Sequence, residues 1–261
     1  MSPRISTITI CFNNLAELQT TCASVDKQTQ LPYEHWIIDG STTPDIQQWL
    51  THTPQPPYRK WLCERDKGIA DAFNKGVERA SGDIINMLNS ADHYYDEHTL
   101  SLVTTEFTGN PSVQWLHGKY QLERGGLWVT IGKPFDPGKL YRGMRSLSHQ
   151  SMFIRRELHD KYGKYDTTLK NAMDYDLVCR ISREPFVFLP QTMVVFAPGG
   201  TTYRNYLPSL AEARRVYERH FGFSWKLAGW QGRLKLLYYL LNSPIGKWLY
   251  KVKVWLKLEN A

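Results

Sequence analysis

The first ninety residues switch between two hydrophobic periods. ISTITICF (Ile5–Phe12) is a β-rich run that predicts a strand. NNLAELQTTCASVDKQ follows with Leu15, Leu18 and Cys22 at helical spacing, and Asn13 or Asn14 is placed to cap that helix. HWIID predicts a second strand ending at Asp39, GSTTPD a loop with a helix start at Pro44, and YRKWLCE a third strand. GIADAFNKGVERAS (Gly68–Ser81) sets Ile69, Ala72, Phe73 and Val77 on one helical face, and GDIINML predicts a fourth strand. This β-α-β-α-β-α-β alternation predicts an α/β fold, a mostly parallel central sheet with helices on both faces.

The middle of the chain is less regular. DEHTLSLVTTEF predicts a helix, and SVQWLHGKYQLERGGLWVTIG predicts strands around a Gly125-Gly126 turn. AMDYDLVCRIS (Ala172–Ser182) predicts a helix with Leu177, Val178 and Ile181 inward. PFVFLPQTMVVFAPGG predicts two short strands, and LPSLAEARRVYERHFG a capped helix ending near Gly222.

Composition narrows the class. A chain of 261 residues suits one large α/β domain, alone or with an appendage. The net charge is +7, but residues 224–261 carry +6 of it in Lys226, Arg233, Lys235, Lys247, Lys251, Lys253 and Lys257 against Glu259. The near-neutral body predicts no nucleic-acid partner. Nine Trp and fifteen Tyr fit carbohydrate stacking or a membrane interface. Cys11, Cys22, Cys63 and Cys179 form no CxxC pair, which favours a reducing cytosol over a zinc or disulfide framework. The N-terminus lacks a signal-peptide pattern, and no run of eighteen apolar residues predicts a membrane span.

Candidate chemistry collects where strands end. In open α/β sheets ligands bind at the carboxyl ends of the strands. Asp39 closes the second predicted strand, Asp66 follows the third and Asp92 follows the fourth. Asp39, before Gly-Ser, suits either a ribose or base contact or an ordinary turn. In RDKGIADAFNKG, Asp66 suits a base edge and Lys67 a phosphate, with Asp71 and Asn74 on one side of the helix beyond; a solvated helix entry is the other reading. Asp92 in NSAD suits a divalent cation or a helix start. Asp174 and Asp176 lie two apart and do not share a helix face, so one can enter a cleft while the other caps or pairs. His149 suits a phosphate or acceptor contact, or a structural role.

Together TICFNN, IIDGSTTPD, RDKGIADAFNKGVERASGDIINMLNSAD, SHQSMFIRREL and MDYDLVCRI resemble glycosyltransferase family 2, in the family's order from about Ser6 to Gly200. The likeness is to bacterial enzymes of surface-polysaccharide and lipid-linked glycan synthesis, such as capsule and lipopolysaccharide. It implies an inverting enzyme of GT-A fold, with a nucleotide-binding half over residues 1–95 and an acceptor-binding half over 96–222. The donor would be a UDP-, GDP- or dTDP-linked sugar, and the acceptor a glycan or polyprenyl-linked hydroxyl. Asn13, Asp39, Asp66, Lys67, Asn89 and His149 match donor-binding positions, Asp92 the last carboxylate of a Mg²⁺ or Mn²⁺ motif, and Asp174 the catalytic base. Two positions depart from the pattern. Ala91 stands where many members have Asp, and Asn89 is a weaker ligand, which predicts a weak metal site that leans on the donor's diphosphate. Met173 replaces a frequent Glu, so Asp174 has one like charge fewer and a less raised pKa.

Residues 223–261 read as a basic amphipathic tail. Ile245, Trp248, Leu249, Val252, Trp255 and Leu256 form a stripe that the lysines avoid. This predicts peripheral contact with the inner face of the cytoplasmic membrane; packing on the catalytic domain or on a second protomer, as a homodimer, is the other reading. CFNNLAEL carries no GxGxxG, which sets a dinucleotide oxidoreductase aside. A non-catalytic sugar-nucleotide-binding subunit is the remaining alternative, kept by Ala91 and opposed by Asp174.

Overall fold

The computed structural model describes residues 2–124, 126–145, 147–197 and 205–244. Strands β1 (Ile5–Cys11), β2 (Glu34–Asp39), β3 (Arg59–Cys63) and β4 (Ile84–Met87) alternate with helices α1 (Leu15–Asp26), α2 (Asp45–His52) and α3 (Ile69–Arg79). All pairings among these strands are parallel, with β1 between β2 and β4. The central strands β1, β2 and β4 are largely buried because helices cover both faces. Neighbouring residues of β2 show the alternation: Ile38 packs with Ile8, Phe73 and Val77. Ile37 points the other way, to Leu18, Cys22, Ile46 and Leu50. The buried threonines of β1 are paired, Thr7 with the Tyr94 hydroxyl at 2.9 Å and Thr9 with His35 Nε2 at 2.9 Å.

Antiparallel pairing enters beyond β4. β5 (His93–Tyr94), α4 (Thr99–Gly109), β6 (Trp115–Arg124), β7 (Leu127–Ile131), β8 (Met152–Arg155), α5 (Arg156–Tyr162), α6 (Met173–Ile181) and β9 (Phe186–Phe196) follow. The nine-stranded sheet runs β3-β2-β1-β4-β8-β6-β9-β5, with β7 on β6. β8 is antiparallel to both β4 and β6, whereas β9 is parallel to β6. The two short strands expected over residues 186–196 are one strand. Its register slips opposite Gly118, Lys119 and Tyr120, and Pro190 falls in the slip, where a missing N–H costs no ladder bond.

Helix α7 (Tyr206–Phe221) ends at Gly222, whose φ of +74° suits a residue without Cβ. No side chain caps its start at Asn205, contrary to the sequence expectation. Helix α8 (Trp225–Asn242) is capped by Ser224, whose hydroxyl accepts the Leu227 N–H. Leu227 is buried, and Gln231 Nε2 donates to the Leu210 carbonyl at 2.8 Å, so the first half of α8 packs on α7. The apolar stripe from Ile245 onward lies outside the described residues. Among the described residues no helix is long and apolar enough to cross a membrane.

Helix α3 lies close against β1. A Cβ at Gly76 would sit 2.4 Å from Ile8 Cγ2. Gly76→Ala is therefore expected to destabilise the fold by about 1–3 kcal/mol, read from denaturant midpoints. An unchanged midpoint would show that α3 shifts freely on the sheet.

Candidate active site

The parallel register brings the first loops to one rim. Cys11 pairs with Asp39 and Asp39 with Cys63, so β1, β2 and β3 end in line. Asn13, at φ +53°, does not cap α1. Its Oδ1 accepts the Thr42 N–H at 2.8 Å, its Nδ2 donates to Thr42 Oγ1 at 2.9 Å, and its own N–H donates to Ser41 Oγ at 2.8 Å. The side chain thus ties the loop after β1 to the loop after β2. Asp39 is buried and accepts the Ser41 N–H at 3.0 Å. Asp66 accepts the Gly68 N–H at 2.9 Å. Its carboxylate lies against Gly40, where a Cβ would stand 1.8 Å from Asp66 Oδ2. Asp39 and Asp66 are therefore neighbours across one glycine. The Lys67 side chain is exposed beside them. Asp71 receives the Lys67 N–H, and Asn74 makes two bonds to the Tyr165 backbone.

Asp92 occupies a tight turn after β4. Its N–H donates to the Asn89 carbonyl at 3.1 Å. Its Oδ1 accepts the Ala197 N–H at 2.9 Å, just past β9, and Gln150 donates to the same carboxylate. Burial pushes this carboxyl up to about 7, against those two donors. Ala91 sits at φ +80°, a left-handed conformation costly for alanine. In the same turn Asn89 Oδ1 is buried without a partner. One carboxylate and one orphan amide oxygen are hard donors of the kind Mg²⁺ or Mn²⁺ takes. Among the described residues no group of three His, Cys, Asp or Glu side chains could hold a metal, so the protein offers a partial set that needs further oxygens.

The two aspartates of α6 separate cleanly. Asp176 is buried and held by Arg180 Nε at 3.0 Å and His220 Nε2 at 2.8 Å. Among the described residues Asp174 has no cationic partner; its carboxylate accepts the Tyr175 N–H at 2.8 Å and its own N–H. Burial pushes the Asp174 carboxyl up to about 6; the helix-start N–H groups pull it down, and the Glu212 charge pushes it up again. Desolvation is the main cause, and a like charge reaches Asp174 through space from α7.

Two further residues shape the site. Buried Glu212 accepts the backbone N–H groups of Lys170 at 3.0 Å, Asn171 at 2.6 Å and Ala172 at 2.8 Å, the turn that leads into α6. Gln150 is positioned by Asn86, whose Nδ2 donates to the Gln150 and Met152 carbonyls. Sequence reasoning quoted Gln150 without a role and passed over Glu212, which reads locally as a helix-surface acid. His149 lies behind the rim. Its Nε2 pairs with the Tyr165 hydroxyl at 2.7 Å, and its ring packs against Phe73. Burial pushes it down to about 3, so it is neutral at physiological pH and brings no positive charge to a phosphate.

The profile of "Glycosyl transferase family 2" matches residues 6–163. The chain belongs to this family. It is 33% identical over 181 residues to an uncharacterized glycosyltransferase of Mycobacterium tuberculosis, covering 69% of each chain. It is 26% identical over 200 residues to a PGL/p-HBAD biosynthesis glycosyltransferase of Mycobacterium bovis, covering 75% of this chain and 76% of that one. Among solved structures it resembles the mannosyltransferase PcManGT of Pyrobaculum calidifontis, in complex with GDP-Man and Mn²⁺, with TM-score 0.62 at 16% identity over 100% of this chain and 82% of that one. Staphylococcus aureus TarS 1-349 with UDP-GlcNAc gives 0.63 at 14% identity, over 84% and 67%. These likenesses establish the GT-A fold, and the family makes the chain a glycosyltransferase.

Glu212 is the strongest local test of this geometry. Glu212→Ala leaves three N–H groups without their acceptor and is expected to cost roughly 3 kcal/mol of stability, with Glu212→Gln intermediate. A wild-type melting profile for Glu212→Ala would show that the turn before α6 does not need its acceptor.

Proposed function

We propose that the enzyme transfers a sugar, with inversion, from a nucleoside-diphosphate sugar to a hydroxyl of a glycan or lipid-linked acceptor. The observation that carries this reading is the contrast within α6: Asp176 is held by two cationic side chains, while Asp174 meets no cation among the described residues and is raised toward neutrality. Such a carboxylate is matched to general-base work near neutral pH. Asp174 takes the acceptor proton as the acceptor oxygen bonds to the anomeric carbon. The bond from that carbon to the diphosphate oxygen breaks on the opposite face, so one displacement inverts the centre. Asp39 and Asp66 receive the ribose and base, and Lys67 neutralises phosphate. Asn13 holds their loops together rather than binding the donor through its side chain. Asp92 and Asn89 would hold Mg²⁺ or Mn²⁺, which neutralises the charge on the leaving diphosphate. Structural neighbours solved with GDP-Man and Mn²⁺ and with UDP-GlcNAc support the donor class and the ion.

The acceptor side is read as facing a membrane. Trp225, Leu236, Tyr239 and Leu241 of α8 are exposed, and the chain beyond it is basic and aromatic. Relatives named for PGL/p-HBAD biosynthesis fit such an acceptor. The enzyme then works peripherally, at the cytoplasmic face.

Asp174→Asn is expected to lower kcat by about 10²–10⁴ with little change in donor binding. The wild-type rate should fall about tenfold per pH unit below about 6, because the base must be ionised. The stability effect has the opposite sign. A carboxyl raised above its unfolded value stabilises most at low pH and loses that contribution as pH rises through about 6. Asp174→Asn should therefore melt no lower than wild type at pH 8. Wild-type turnover by this variant would remove the base assignment.

Chelation should abolish transfer, and Mn²⁺ should bind weakly alone but tightly with a nucleoside diphosphate, as titration calorimetry reads. Asp92→Ala should lose that binding, and Asn89→Ala should weaken it less. Full activity in EDTA would remove the metal assignment.

A further inference from the structure

Three arginines converge on one indole where the acceptor half meets α8. The guanidinium carbons of Arg142, Arg145 and Arg233 lie 5.3, 5.0 and 5.7 Å from the Trp230 ring centroid. Arg142 ends the 3-10 turn Pro137–Arg142, Arg145 follows it, and Arg233 comes from α8. Other arginines of this half are paired with acids: Arg180 with Asp176, Arg214 with Glu218 and Arg219 with Asp166. Among the described residues none of the three around Trp230 has such a partner. Each is attracted to the ring face, but the three repel one another; Arg142 Nε donates to the Tyr141 hydroxyl at 2.9 Å and its charge reaches the Asp136 carboxylate, while among the described residues no acid is paired with Arg145 or Arg233. Trp230 Nε1–H is also buried without an acceptor. Three donors in fork geometry and an unsatisfied N–H form a complement to a phosphate group.

We propose that Arg142, Arg145, Arg233 and Trp230 form a binding site for the phosphate of a lipid headgroup. Two observations point to a lipid rather than to free phosphate. The next turns of α8 beyond Arg233 expose Leu236, Leu237, Tyr239, Leu240 and Leu241, an apolar surface that a soluble ion does not require. The site is also continuous with the acceptor side of the reaction centre. The Leu140 carbonyl, two residues before Arg142, accepts the hydroxyl of Tyr175 at 2.6 Å, and Tyr175 adjoins Asp174. A phosphate held here would set a lipid-borne acceptor beside the base while its chain lies along α8. That use rests on the proposed transfer reaction; the binding itself does not.

The test uses the full chain with vesicles of phosphatidylcholine alone and of phosphatidylcholine with phosphatidylglycerol. The R142Q/R145Q/R233Q variant is expected to bind the anionic vesicles about a hundredfold more weakly than wild type at low salt, and the neutral ones equally. R142K/R145K/R233K keeps the charges and is expected to recover most of the binding. Inorganic phosphate, at the same phosphate concentration as the vesicles, is expected not to displace wild type. Equal binding by the Gln variant and wild type would assign membrane contact to the basic tail and overturn the site. A Lys variant as weak as the Gln variant would trace the loss to disturbed packing of α8, which also overturns it. Displacement by inorganic phosphate would make this a soluble-anion site and overturn the lipid assignment. A nucleotide-sugar thermal shift on the same samples reports the donor site separately, so failure of the transferase reading and failure of this one are distinguishable.

Discussion

β1 is hydrogen-bonded along both edges, and its register decides where the loops of the parallel half of the sheet emerge. Cys11 stands beside Asp39, and Ile8 stands beside Met87. A parallel pair has both C-terminal ends on the same side. The loops bearing Asn13, Asp39 and Asn89 therefore leave the sheet together, and β3 adds Asp66 through its pairing with β2. A one-residue slip would exchange the two faces of the strand and move Ile8 off α3. Gly76 against Ile8 resists that slip, because the close approach exists in one register only.

The acidic residues of the site divide by how each charge is compensated. Desolvation alone raises a carboxyl, and donors or cations lower it. Asp176 has a guanidinium and an imidazole, and Glu212 has three backbone N–H groups. Both act as structural anions that hold the loop into α6. Asp174, half-buried, and Asp92, buried, have fewer donors, and both are pushed up. Helix α7 supplies both sides of this division. Its Glu212 fixes the backbone leading to Asp174, while its Arg219 and His220 reach Asp166 and Asp176. Helix α7 thereby fixes the backbone that carries Asp174, the base proposed above.

The parallel first half was legible because its signals are local. Strand runs, amphipathic helices and acids at strand ends repeat within short windows, and parallel topology follows from their alternation. The mixed second half was less legible because its pairing is not local. Nothing in MFIR announces that it lies antiparallel between β4 and β6. Pro190 splits an apolar run that the fold keeps whole, and only the partner strand's slip reveals how. The role of Glu212 depends on a turn some forty residues earlier in the chain. The MDYD string showed that its two acids differ, but not which one found cations. His149 showed the opposite failure: a recognisable motif position proved to be packed behind the rim.

The turn Asn89–Asp92 joins these threads. A left-handed backbone at position 91 favours Gly, Asn or Asp, and family members often place Asp there. Aspartate at that position would serve both the backbone and a metal. Alanine serves neither, yet the turn keeps its shape, because Asp92 is anchored from the Ala197 N–H and Thr21 Oγ1 bonds the Asp92 carbonyl at 2.7 Å. The strain at Ala91 is therefore carried by long-range contacts and not by the local sequence. What is lost is a ligand and not a fold, and the orphan Asn89 oxygen marks where the remaining coordination would fall. A site with one carboxylate and one amide would leave most of an ion's oxygens to come from water and substrate, so in the proposed reaction the donor's diphosphate would complete the site.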